Sequence, residues 1–167
     1  KLLIKQSRFK EYLYKFQKII YIMPKSIRII GINSSPRKKE GPSQQGSSTR
    51  ILLQHALDKI SNRADTEIID LVDYHIEPST GCYSTDENLN GLNCRHYKDD
   101  MKFIFDKIIK ADGVSFSSPV YWLGITSRLS ILFERLTELD PIVRNPKQRL
   151  LQGKVAGVIA TAHVDGA

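Results

Sequence analysis

The sequence predicts an α/β domain built on a doubly wound parallel sheet. Three observations carry the prediction. Four short apolar runs lack the polar alternation of a half-exposed strand, and a helical segment separates each from the next. The loops after several of these runs gather small, hydroxyl and aromatic residues. A strand buried on both faces has no wet side, and parallel neighbours need a long crossover between them.

The first strand is read at Ile27–Ile32, an apolar run closed by Asn33-Ser34-Ser35-Pro36. A helix follows from Ser47 to Ile60, with Ile51, Leu52, Ala56 and Ile60 at helical spacing behind a hydroxyl residue suited to an N-cap. The second strand is read at Thr66–Val72. The segment from Asp73 to Tyr97 is polar, Gly- and Asn-rich and without a period, so it reads as a long loop. Asp99–Lys110 is an amphipathic helix with Met101, Ile104, Phe105 and Ile108 on one face, acidic at its start and lysine-rich at its end. Gly113–Pro119 is the third strand, Thr126–Leu139 the third helix and Lys154–Thr161 the fourth strand.

The 167 residues suit one domain, residues 24–167, preceded by a basic amphipathic extension at residues 1–23. The net charge of +7 divides unevenly: residues 1–22 hold six basic residues against Glu11 alone, a net of +5, and leave about +2 for the domain. The basic excess therefore belongs to the extension, and no nucleic-acid partner is expected. Phe9, Leu13, Phe16 and Ile20 lie at helical spacing there. That pattern also suits an anionic membrane surface or a partner's groove. No apolar run reaches the roughly 18 residues needed to span a bilayer, so no integral membrane segment is expected. Two cysteines, Cys82 and Cys94, are too few for a disulfide scaffold, which makes a reducing cytoplasm the expected compartment.

In an open parallel sheet, ligands bind outside the carboxyl ends of the strands. Three loops lie there: Asn33–Ser48, Pro119–Gly124 and Ala162–Ala167. The first suits an anion, because small residues let backbone N–H groups approach and hydroxyls add donors. A helix starting near Ser47 also aims its positive end inward. Gly41 to Ser48 imitates a nucleotide-binding P-loop, but Ser47 stands where that loop needs its lysine. No GxGxxG follows the first strand, so a dinucleotide Rossmann site lacks its fingerprint. The second loop, Pro119-Val120-Tyr121-Trp122-Leu123-Gly124, either offers a platform for a planar ring or lids the core.

Ser35-Pro36-Arg37 with Ser47-Ser48-Thr49, then Asp99-Asp100-Met101, Ala111-Asp112-Gly113, Ser118-Pro119-Val120-Tyr121 and Phe133-Glu134-Arg135 together resemble the NADPH-dependent FMN reductase family of flavodoxin-like proteins. The resemblance runs from about Ile27 to Thr161. It implies a flavodoxin-like sheet of order 2-1-3-4(-5) and FMN as cofactor, with Ser35, Arg37, Ser47, Ser48 and Thr49 around the phosphate. Pro119, Val120, Tyr121, Trp122, Leu123 and Gly124 would line the isoalloxazine, with Thr161 and His163 closing the ring's other side. It also implies NAD(P)H as hydride donor, a small-molecule electron acceptor, a homodimer or higher oligomer, and no catalytic side chain. An electron carrier without a nicotinamide site and a flavin-less interaction domain are the rival readings.

The sequence departs from the family pattern in three places. Its iron–sulfur branch carries a compact cysteine cluster, whereas Cys82 and Cys94 alone cannot hold a four-cysteine cluster, and no metal site is expected. Ser130 stands where many relatives place a lysine. The fifth strand is absent, so the fourth is expected at an exposed apolar edge and the chain reads as truncated.

Overall fold

The computed structural model describes residues 26–37, 46–80, 98–137 and 150–162. The extension at residues 1–23, Cys82, Cys94 and His163 lie outside the described residues. Strand β1 spans Ile27–Asn33, helix α1 Ser48–Asp58, β2 Ala64–Asp70, α2 Met101–Lys110, β3 Gly113–Pro119, α3 Ser127–Leu136 and β4 Val155–Thr161. The strands form one sheet of order β2-β1-β3-β4, parallel at every pairing. That is the flavodoxin-like order expected from the sequence.

The two faces of the sheet are covered differently. Ile30, Ile32 and Ile69 join Met101, Ile104, Phe105, Ile108, Leu129 and Leu132 in one buried cluster, so α2 and α3 cover that face. The alternate residues of β1 turn to the other face, where Leu53 and Leu57 of α1 are buried. A Cβ on Gly31 would lie 2.9 Å from carbons of both leucines. The glycine therefore sets how closely α1 seats on β1, and α1 is the helix whose start faces the strand ends.

Element boundaries moved where long-range contacts overrode local pattern. Strand β2 ends at Asp70, directly paired with Asn33 of β1. The apolar Leu71-Val72 continues as a short 3-10 turn through Asp73, with Leu71 still buried. Helix α2 begins at Met101 and not at Asp99. The Asp99 carboxylate instead takes the Met101 amide at 3.1 Å, the Glu77 amide at 3.0 Å and the Arg135 guanidinium at 2.7 Å. The same Arg135 nitrogen donates to the Glu77 carbonyl at 2.9 Å. Burial pushes the Asp99 carboxyl up, but the Glu77 amide, the Arg135 guanidinium and the Met101 amide outweigh it and hold the group below the usual carboxylate range. Helices α1 and α3 open on hydroxyl caps, Ser47 accepting from the Arg50 amide and Thr126 from the Leu129 amide. Among the described residues strand β4 stands at the edge of the sheet, with Val155 and Val158 exposed as the sequence anticipated.

Candidate functional site

The carboxyl ends of β1, β3 and β4 and the start of α1 meet around one cavity of about 570 Å3. It is lined by Ser35, Arg37, Ser47, Ser48, Thr49, Pro119, Val120, Tyr121, Trp122, Leu123, Thr161 and Ala162. The structure thus brings every described candidate from the sequence to one place, except that Gly124 does not line the wall. Ala162 is an addition.

The end formed by β1 and α1 suits a dianion. The Ser48 and Thr49 amides have no partner among the described residues, as expected of the first turn of a helix. They carry the positive end of α1 toward the cavity. Ser47 accepts from the Arg50 amide at 3.1 Å, which leaves its own hydroxyl proton to give. Ser35 is buried, its Oγ taking the Arg37 amide at 3.3 Å, and the exposed Arg37 adds a cation at the rim. Ser34 is spent on the fold, its N–H and hydroxyl both donating to the Ser117 carbonyl at 2.9 Å.

The opposite wall is a tight turn. Tyr121 and Gly124 exchange both backbone hydrogen bonds, at 3.0 and 3.1 Å, around Trp122 and Leu123. Both central residues are left-handed, with φ of 52° and 62°. Such turns ordinarily use Asn-Gly, and side-chain-bearing residues there cost about 1–2 kcal/mol each. Trp122 is 100% exposed and Leu123 83%, so neither lids the core, which removes one of the two readings the sequence left open. Backbone strain of this kind gathers at functional sites. Gly124 serves by closing the turn.

Thr161 links the two ends. Its hydroxyl meets that of the buried Thr49 at 2.5 Å, and its carbonyl accepts from the Val120 amide at 2.8 Å. One threonine hydroxyl donates to the other, and the acceptor keeps a proton free.

Sequence reasoning passed over a buried group behind the cradle. Asn33 is fully buried and gives its Nδ2 to Asp70 at 2.7 Å. Asp70 also receives Arg50 Nε at 2.8 Å. In dinucleotide folds a carboxylate near the end of this strand binds a ribose hydroxyl. Here it is already committed to Asn33 and Arg50. The available signal was a carboxamide directly after the first apolar run and a carboxylate interrupting the second.

The donor set and the cavity's volume fit a ligand with a phosphate at one end and a planar ring at the other, within the range of small-molecule sites. The family model for NADPH-dependent FMN reductases matches residues 27–167. An iron-sulfur flavoprotein of Methanocaldococcus jannaschii is 33% identical over 135 residues, covering 80% of this chain and 61% of its own. The 8-demethyl-8-aminoriboflavin-5′-phosphate synthase of Streptomyces davaonensis is 25% identical, with 85% and 53% covered. Among solved structures, RosB with the bound intermediate 8-demethyl-8-formylriboflavin-5′-phosphate superposes with a TM-score of 0.67 at 25% identity, covering 85% of this chain and 54% of that one. The chain thus spans somewhat over half the length of these relatives.

Proposed function

The chain belongs to the NADPH-dependent FMN reductase family, and from that membership we propose that it is an FMN-dependent NAD(P)H oxidoreductase serving a small-molecule acceptor. One observation supports the reading above others. A single cavity joins a helix start suited to one phosphate to an aromatic, strained loop suited to one ring. In this reading Ser35, Arg37, Ser47, Ser48 and Thr49 hold the phosphate. Pro119 to Leu123 hold the ring, Gly124 keeps their turn closed, and Thr161 fixes both parts. When bound, FMN supplies the hydride and electron chemistry between NAD(P)H and an acceptor such as a flavin or quinone.

The protein's own task is positioning. Amides and hydroxyls orient the phosphate, the turn sets one wall for the ring, and the apolar side chains there limit water. The scarcity of cysteines points to a reducing cytoplasm, and the family resemblance alone points to a homodimer or higher oligomer, which light scattering on the purified protein tests. His163, outside the described residues, stays a candidate for the ring's other side.

Anaerobic addition of NADPH or NADH to the FMN-loaded protein tests the reading. Bleaching of the flavin bands within seconds is expected. A protein that binds FMN but bleaches only with dithionite is a carrier without a nicotinamide site, which contradicts the proposal.

A further inference from the structure

We propose that Asn33 is the positioning residue of the phosphate end, acting through the Ser35 backbone and held in turn by Asp70; this rests on the FMN reading above. Asn33 lines no part of the cavity, yet it is fully buried at the end of β1, directly beneath the cradle. Its carboxamide is used at both ends. Nδ2 donates to Asp70 Oδ1 at 2.7 Å, while Oδ1 accepts from the Ser35 amide at 3.4 Å and shares the Ser117 hydroxyl proton with the Ile32 carbonyl, each at 3.3 Å. A primary amide donates to a carboxylate at one end and accepts from an N–H and an O–H at the other, with the reach these separated partners need. Serine is too short to span these partners, and aspartate would set a second carboxylate against Asp70.

Those partners belong to different elements. Asp70 ends β2 and Ser117 lies in β3, while Ser35 opens the loop that lines the cavity. Asp70 adds the start of α1 by taking Arg50 Nε at 2.8 Å. One buried side chain therefore registers the β1 loop against β3 and, through Asp70, against the first turn of α1. Two parts of the cradle, Ser35 and the Ser48–Thr49 amides, are held relative to each other through it. The pairing with Arg50 also balances the Asp70 charge, so the carboxylate anchors the carboxamide without a bare negative charge beside the anion site.

A purely structural asparagine would affect all ligands of the cavity alike. A phosphate-positioning one affects only ligands that carry the phosphate. FMN and riboflavin share the ring and differ in the phosphate, so the ratio of their dissociation constants isolates the effect. Titration of each into wild type and Asn33→Ala, followed by flavin fluorescence, is the experiment. The FMN preference is expected to fall about tenfold in the variant, the scale of one lost buried hydrogen-bonded anchor, with riboflavin affinity changed less than about threefold. Asn33→Ser, which keeps a polar atom in the site, is expected to show the same loss should the alanine variant not fold. Equal weakening of both ligands, or an unchanged ratio in a folded variant, overturns the proposal. A wild-type protein that binds neither ligand overturns the FMN reading itself, and the two failures are thus distinct.

Discussion

Replacing Asp99 by alanine should destabilise the domain strongly while leaving its ligand chemistry intact. The Asp99 and Arg135 side chains are 4% and 2% exposed and meet at 2.7 Å. Removing one partner of a buried ion pair costs about 3–5 kcal/mol, because the remaining charge is still buried. Arg135 keeps the Glu77 carbonyl, which places the cost near the lower end, about 3 kcal/mol. The Glu77 and Met101 amides also lose their acceptor. At roughly 2–4 °C per kcal/mol for a domain of this size, the melting midpoint should fall by about 6–12 °C. Differential scanning fluorimetry reads this directly, and a fall under about 2 °C would refute the reasoning. The sign with pH follows from the lowered carboxyl. Its contribution is complete above the unfolded value of 3.8 and is lost as pH falls through the lower folded value. The midpoints of wild type and variant should therefore converge in acid below that value and separate fully near neutrality.

At the site, Thr49→Val removes a buried hydroxyl shared with Thr161 and is expected to weaken FMN binding about tenfold in a fluorescence titration. Trp122→Ala should change it less than about threefold, since the ring is wholly exposed and anchors no phosphate donor. Equal losses would refute the division of the cavity into two ends. Arg37→Ala should reduce FMN affinity most at low salt and leave riboflavin unaffected, as expected of an exposed, screened cation. Gly31→Ala crowds Leu53 and Leu57 and should cost about 1–3 kcal/mol in urea unfolding; a neutral result would mean α1 seats less tightly than its contacts imply.

The sheet was legible because each strand is an apolar run with no wet face, and the helices because Ile104, Phe105 and Ile108 or Leu129 and Leu132 repeat at helical spacing. The walls of the cavity were legible for a related reason. Hydroxyls and aromatics directly after strand ends have few structural uses. Pairings between distant residues were not legible. The acid at Asp99 reads locally as the first turn of a helix, yet Arg135, far along the chain, draws it out of that role. Leu71-Val72 reads as strand, yet the sheet stops where Asp70 meets Asn33. The same register creates the buried relay behind the cradle, which exists only once β1 and β2 lie side by side. The left-handed Trp122-Leu123 turn gave no sign, since neither residue is Gly or Asn.

In this reading one cavity holds a flavin mononucleotide by both its phosphate and its ring. Titration of FMN into the purified, flavin-free protein, with fluorescence quenching as the signal, tests it most directly. Saturable binding of one FMN per chain is expected, tighter than riboflavin and competed by inorganic phosphate. A protein that quenches neither flavin, or binds riboflavin as tightly as FMN, would contradict it.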